Sequence, residues 1–386
     1  MQRLRVCPAF LCILLCITAG VTSANPKKAD VRSEFTAVVL RHGARAPLGT
    51  FPRDPNKNHQ WQYGFGQLTK EGRLAMYKLG RYLRKRYGSS LSSDPREVWA
   101  RSSPEPRCFD SVALLLYGMY PVKEAYQKWK AGRDWQPVPI MSLPKHNDKY
   151  TFNCPQMITA MLTKLQSSSS NGKNSPVNLV AQLTGLLPNE PRKLLDAVDA
   201  FLVQHENNLT LPDALKSRLP KLTELNHQLY LMLGAALSPI MGGEILRDIA
   251  LKLQSFFDPS STRKSLAIKG FAPLDIPKSD TRQKKLHLYS YHDLNVIAVM
   301  FSLNNALKER PPYGSAVLFE VKKLSGENER QIEVFYKKGT DDPVRVTMSG
   351  CPVPCTLTKF NAFIEKTFHP VTAEQCGVLK EQFVVL

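Results

Sequence analysis

The chain has 386 residues, 43% of them hydrophobic, which is ordinary for a globular protein and enough for one large core or one core carrying an inserted smaller domain. Its formal net charge of +19 favours anionic substrates and surfaces through long-range steering. No zinc-finger spacing, stacking-platform motif or helix-turn-helix pattern accompanies that charge, which argues against specific nucleic-acid binding.

Residues 1–24 read as a signal peptide, with a basic start at Arg3 and Arg5, an apolar centre from Phe10 to Ile17 and a small-residue cleavage region at Val21–Ala24. The apolar run is too short to span a bilayer, and no later stretch is long enough. The mature protein is therefore expected in the extracellular space or the lysosomal lumen, without a membrane anchor. Loss of Arg3 and Arg5 takes the net charge from +19 to +17. Cys7, Cys12 and Cys16 leave with the leader, and Cys108, Cys154, Cys351, Cys355 and Cys376 remain. An odd number in an oxidising compartment implies a free or intermolecular thiol. Cys351 and Cys355 enclose only Pro-Val-Pro and could close a small loop. Asn208-Leu-Thr210 is the one glycosylation sequon.

The apolar run Phe35–Leu40 predicts a strand that delivers Arg41-His42-Gly43-Ala44-Arg45-Ala46-Pro47 onto a tight loop. A helix follows with Thr69 as N-cap, Ala75, Met76, Leu79 and Leu83 on its buried face, and Gly88 as its stop. Its basic outer face (Lys70, Arg73, Lys78, Arg81, Arg84, Lys85) reads as solvated. Glu97–Ala100 is a short strand ending at Arg101. A second helix runs through Leu116 and Tyr117, with Phe109, Val112, Ala113 and Leu116 as its apolar positions and Cys108 as a buried, inert thiol. From 122 to 280 the character changes to Pro-rich turns, a Ser-rich stretch at 167–175 and helical patterns at Pro191–Gln204 and Lys221–Leu237. This segment reads as a mostly helical cap, with Gly242-Gly243 as a helix-start turn. Lys285–Tyr291 alternates as a strand and ends at His292-Asp293, and Tyr313–Val321 pairs with Gln331–Lys337 as a hairpin around residues 325–328. The fold class is α/β: residues 25–121 and 281–386 form the core, and 122–280 the insertion.

Arg41, Arg45 and Arg101 present planar forks that suit phosphate oxygens and stay charged at any relevant pH. A metal ion beside His42 would be repelled by its arginine neighbours, which leaves the imidazole as a nucleophile toward a bound phosphoryl group. Arg41–Arg45, Arg101 and His292-Asp293 each lie at the carboxyl end of a predicted strand, where open α/β sheets bind ligands. No His/Asp/Glu cluster has metal-ligand spacing, and no cofactor is expected. His59, His146, His205, His227, His287 and His369 lack a comparable setting; His287 falls mid-strand, facing a neighbouring helix.

Arg-His-Gly-x-Arg-x-Pro at 41–47 resembles the signature of the histidine phosphatase superfamily in its acid phosphatase branch. Arg101-Ser102-Ser103, Ser290–Asp293 and the block from Pro311 to Glu320 resemble further family motifs, so the likeness runs over most of 35–380. It implies a phosphoglycerate-mutase-like three-layer αβα core with a helical cap, acting on small phosphate monoesters at acidic pH. By resemblance, His42 is the nucleophile that forms phosphohistidine, and Arg41, Arg45, Arg101 and His292 hold phosphate. Asp293 begins protonated and donates to the leaving group. The resemblance also pairs Cys154 with Cys376 and suggests a homodimer. The chain departs from the family at Pro104, Pro106 and Cys108, although Arg107 is retained, and at Leu294-Asn295. Those departures and the basic surface keep two alternatives open: a catalytically weak secreted binder of anionic surfaces or glycans, and a lysophospholipid or inositol-polyphosphate phosphatase.

Overall fold

A computed structural model describes residues 32–151, 176–259, 283–323 and 329–369. The leader, the Ser-rich stretch, Cys154, Cys376 and the hairpin tip at 324–328 lie outside the described residues. The described strands are β1 (Phe35–Arg41), β2 (Val98–Ser102), β3 (Leu286–Tyr291), β4 (Ala316–Lys323), β5 (Arg330–Lys337) and β6 (Val344–Val346). The helices are α1 (Lys70–Tyr87), α2 (Pro106–Met119), α3 (Pro176–Thr184), α4 (Pro191–Glu206), α5 (Leu219–Ala236), α6 (Gly243–Phe257), α7 (Asp293–Ser302) and α8 (Leu357–Thr367), with a single turn at Asp213–Lys216.

The strands form one mixed sheet in the order β2-β3-β1-β4-β5-β6. β1, β2 and β3 are mutually parallel, whereas β4 to β6 add antiparallel to the other side of β1. β1 is central and buried on both faces, which explains its unbroken apolar run. Its Val38 and Leu40 pack with Met76 and Leu83 of α1 and Leu115 of α2. Its Phe35, Ala37 and Val39 face a second core built from α6, α7 and α8, including Ile245, Val299 and Phe360. The result is the expected three-layer α/β arrangement. A third cluster, with Phe51, Val198, Phe201 and Leu222, belongs to α4, α5 and their neighbours away from the sheet.

Several local expectations change. Thr69 caps α1 by accepting from the Gly72 amide at 3.1 Å, but Ala75 is exposed, as is Ala113 on α2. The stripe between α1 and α2 instead carries glycine, because a Cβ on Gly80 would sit 1.9 Å from the Leu115 carbonyl oxygen. Two helices this close leave no room for even an alanine. Gly88 ends α1 in a right-handed conformation rather than as a left-handed cap. The Gly242-Gly243 pair is a tight packing device as well as a turn: a Cβ on Gly242 would meet the Ala298 carbonyl oxygen at 2.4 Å. α6, which follows this pair and falls within the predicted insertion, packs on the sheet through Ile245, Leu246 and Ile249. β4 begins at Ala316 rather than Tyr313, since Gly314 adopts φ +72° and turns the chain. Cys351 and Cys355 form a disulfide, and Cys108 is a free buried thiol that burial pushes up to about 12.

The loop after β1 is seated by two interlocked glycines. A Cβ on Gly43 would lie 2.7 Å from the Gly72 carbonyl oxygen, and one on Gly72 would lie 2.0 Å from that of Ala44. Both obstacles are backbone, so relief requires moving the loop or the start of α1. Gly72→Ala is expected to lower stability by about 1–3 kcal/mol, the usual range for overpacking. An unchanged unfolding midpoint would show that the loop is not held this way.

His287 is buried against Phe35, ring centroids 4.6 Å apart, and its Nε2–H donates to the Lys284 carbonyl at 2.9 Å. Burial, then the charge of Lys252, lowers its pKa to about 3. Below roughly pH 6.5 the unfolded chain therefore takes up a proton that the folded chain refuses, and stability falls by up to about 1.4 kcal/mol per pH unit. His287→Phe loses the hydrogen bond at neutral pH but should show a shallower loss of unfolding free energy between roughly pH 6 and 4. Parallel pH curves for the two proteins would contradict this.

Candidate active site

The parallel strands β1, β2 and β3 all end at one edge of the sheet, and antiparallel β4 begins there, so four loops converge. The first carries Arg41 to Pro47, the second Ser103 to Arg107, the third His292-Asp293 and the fourth Arg310 to Ser315. Backbone bonds fasten them: the His42 amide donates to the Tyr291 carbonyl at 3.0 Å, and the Gly314 amide to the His42 carbonyl at 3.2 Å.

His42 is buried, and its Nδ1 lies 2.8 Å from the Gly43 carbonyl oxygen. A carbonyl only accepts, so Nδ1 carries the proton and Nε2 keeps its lone pair. The Arg107 Nε–H donates to that Nε2 at 3.3 Å. Burial lowers the His42 pKa well below its ordinary value, and the charges of Arg107, His292, Arg41 and Arg45 lower it further. The imidazole is therefore neutral throughout the mildly acidic range. The His292 ring stands 5.6 Å from it and receives a contact from Ser103 Oγ at 3.1 Å; burial and Arg107 hold His292 at about 3.

Arg41, Arg45 and Asp293 are brought together at this edge. Arg41 lies over the Tyr313 ring at 3.9 Å, donates to the Pro311 carbonyl and pairs with Asp293 at 3.1 Å. Arg45 pairs with Asp199 of α4 at 2.9 Å. The Nε atoms of both arginines are buried without a protein acceptor. Arg101 is placed differently. It sits at the end of β2, but its guanidinium bonds Asp148 at 2.9 Å and lies over the Tyr150 ring at 4.2 Å, while Tyr291 OH donates to the other Asp148 oxygen at 2.9 Å. The cation acting most strongly on His42 is Arg107 instead.

Asp293 differs from expectation in its protonation. Arg310 donates to its Oδ2 from Nε at 2.7 Å and pairs through Nη2 at 2.6 Å, and the Leu294 amide donates to Oδ1 at 2.8 Å. Burial alone would raise its pKa, but Arg310 and then Arg41 overcome that and hold it far below the carboxylate range. Both oxygens accept from N–H groups, so the carboxyl is ionised here rather than protonated. Arg310 escaped the sequence reading because the motif block was read from Pro311 onward; a cation directly before a Pro-Pro pair was its only signal. Arg107 was noted as retained but not assigned to the site.

The departures near the pocket have structural roles. Pro106 opens α2 at a position where no amide partner is needed. Asn295 is fully buried and accepts from the His292 amide at 3.2 Å, which fixes the start of α7. Among the described residues, no three His, Cys, Asp or Glu side chains group in a way that could hold a metal ion.

Comparison with known proteins identifies the family. The model of the histidine phosphatase superfamily (branch 2) matches residues 34–337. Prostatic acid phosphatase from Bos taurus is 28% identical over 362 residues, covering 89% of this chain and 87% of its own length. Lysosomal acid phosphatase from Homo sapiens is 27% identical over 382 residues (94% and 85%), and testicular acid phosphatase from Mus musculus 29% over 372 (89% and 81%). Among solved structures, the phytase from Citrobacter braakii covers 90% of this chain and 99% of its own, at TM-score 0.58 and 18% identity. The Hafnia alvei phytase in complex with tartrate has the same coverage at TM-score 0.59 and 14% identity. Those two likenesses concern the fold; the family match spans the loops that carry His42, Arg107 and Asp293, and the chain belongs to branch 2 of the histidine phosphatase superfamily.

Proposed function

We propose that this protein is a secreted acid phosphatase that hydrolyses phosphate monoesters through a phosphohistidine at His42. The observation that carries the reading is the fixed tautomer of His42: Nδ1 is committed to the Gly43 carbonyl, and Nε2 faces the guanidinium of Arg107. A phosphate dianion drawn to Arg107, Arg41, Arg45 and His292 would replace the Arg107–His42 contact and set phosphorus beside Nε2. Arg101 joins the phosphate-binding set by exchanging Asp148 for a phosphate oxygen, which makes Arg107 the more direct donor.

Attack by Nε2 forms a P–N bond as the ester P–O bond breaks. The departing alkoxide takes a proton from Asp293, which has acquired it from solvent on the acid side. Asp293 then removes a proton from water, whose oxygen attacks phosphorus and releases His42 with inorganic phosphate. The guanidiniums stabilise the charge that develops on the phosphoryl oxygens; removing one such donor costs about 3–4 kcal/mol in comparable sites. Entry into the secretory pathway is supported by the leader pattern at 1–24, by the Cys351–Cys355 disulfide and by the exposed Asn208 of the sequon.

Phosphate release from p-nitrophenyl phosphate tests the reading. The wild-type protein should turn over on the acid side, and His42→Ala should lower kcat by about 10³-fold or more. Asp293→Asn should impair an alkyl phosphate more than the nitrophenyl ester, by about 10²-fold, because only the poor leaving group needs the proton. Turnover that survives His42→Ala would remove the phosphohistidine.

A further inference from the structure

Arg310 is the one guanidinium at the site that touches both carboxylates. Besides its short bonds to Asp293, it reaches Asp199 Oδ1 from Nη1 at 3.3 Å and from Nη2 at 3.4 Å, and donates to Asn226 Oδ1 at 2.9 Å. The Tyr230 ring lies under it at 3.7 Å. Asp199, in turn, is shared with Arg45. The charges thus alternate in one ladder, Arg45–Asp199–Arg310–Asp293–Arg41, in which each carboxylate lies between two guanidiniums. Asp199 and Asp293 come from α4 and from the start of α7, and every member has a side-chain exposure below 10%.

We propose that Asp199 and Arg310 form a positioning relay in which phosphate binding releases Asp293 to act as the proton donor. The inference rests on the phosphatase reading above. A phosphate engaging Arg45 competes directly with Asp199, and Asp199 then has Arg310 as its remaining cation. Arg310 is already within 3.4 Å of Asp199 and needs only a small shift toward it. The same phosphate occupies Arg41 and places negative charge beside Asp293. Asp293 therefore loses hold from both neighbours at once and takes up a proton from solvent. Apart from the O–H bond formed when Asp293 takes up the solvent proton, only hydrogen bonds and ion pairs change in the relay, and that proton is the one the leaving group later receives.

The surrounding groups are consistent with this. Asp293 is faced by Arg310, Arg41 and His42, by His292 beside it, by Cys108 of α2 and by Tyr230 of α5. Asp199 is faced by Arg45, Arg310 and Arg41, and by Asp196, Glu206 and Tyr230 on the cap helices. Burial raises both carboxyls and the arginines overcome it, lowering Asp199 and holding Asp293 far below the carboxylate range. Neither donates a proton until a guanidinium is withdrawn.

The relay predicts opposite effects from its two members. In Arg310→Met, Asp293 lacks its tightest cation, and the basic limb of the kcat profile for an alkyl phosphate, which reports the substrate-bound enzyme, moves up by about 1 pH unit or more. In Asp199→Asn, Arg310 has no competing carboxylate and stays on Asp293. The limb moves down, kcat for the alkyl ester falls about ten-fold more than for p-nitrophenyl phosphate, and inorganic phosphate inhibits more tightly because Arg45 is free. The double variant should follow Arg310→Met, since Asp199 acts on Asp293 through Arg310. Limbs that stay in place, or shift in the same direction in both variants, overturn the relay and leave Arg310 as an anchor of the cap. If Arg310→Met does not fold, the sign of the Asp199→Asn shift decides alone. A wild-type protein without turnover, or one indifferent to His42→Ala, overturns the phosphatase reading and the relay with it; normal turnover with unmoved limbs overturns the relay only.

Discussion

Crowding guanidiniums around one neutral imidazole is the constraint on which the rest of this structure depends. Arg41, Arg45, Arg107 and Arg310 remain charged at any pH the protein meets, and they lie largely out of water. Such a cluster is untenable unless carboxylates are interleaved, since an uncompensated buried charge costs about 3–5 kcal/mol. Glu105 compensates Arg107, Asp293 compensates Arg41 and Arg310, and Asp199 serves Arg45 and Arg310. What remains is a site positive enough to attract a dianion and dry enough to keep His42 unprotonated. Under the proposed mechanism no separate base is needed to activate His42, because its environment already disfavours the imidazolium form.

The scaffold supplies this arrangement through contacts of very different range, and that range decides what the sequence discloses. β1, α1 and the three strand ends are legible because they follow from local signals: an apolar run, a Thr N-cap, an Arg or His-Asp punctuating a strand. His42 and Asp293 are legible for the same reason. The carboxylates that complete the site are not. Asp199 lies 111 residues from Arg310, and Asp148 lies 47 from Arg101, with no pattern in either neighbourhood to announce the pairing. Strand alternation indicates on which face Arg101 emerges, but its partner depends on where the segment carrying Asp148 and Tyr150 returns to the sheet. The misplaced alanines have a related cause. Periodicity marks Ala75 and Ala113 as apolar, whereas the α1–α2 contact selects for absence of a side chain and so recruits Gly80.

The helices α4 and α5 are consequently bonded into the cluster around Asp293. α5 packs on α7 so closely that a Cβ on Gly234 would lie 2.3 Å from Ile297, and α7 begins with Asp293. From the same side, Asn226 and Tyr230 of α5 and Asp199 of α4 hold the guanidinium that restrains Asp293. A displacement of α4 or α5 would therefore reach Asp293 through Arg310, and Arg45 through Asp199. This coupling distinguishes the site from one in which the insertion merely shapes an entrance.

The same burial that serves catalysis works against stability in acid. His42, His287 and His292 are all held neutral in the folded chain, so each draws stability away as pH falls below roughly 6.5, where the unfolded chain protonates. The depressed carboxylates behave differently. Asp199, Asp248 and Asp293 contribute above about pH 3.9 and lose that contribution only as pH falls through their lower folded values. Between roughly pH 4 and 6.5 the ion-pair ladder is thus intact while the histidine penalty grows. Two of the three histidines cannot be relieved of it under the proposed mechanism, because a His42 that accepted a proton could not attack phosphorus and a charged His292 would add to the repulsion around it. His287 carries no such duty, and the acid sensitivity it adds comes from its burial against Phe35 and the nearby charge of Lys252.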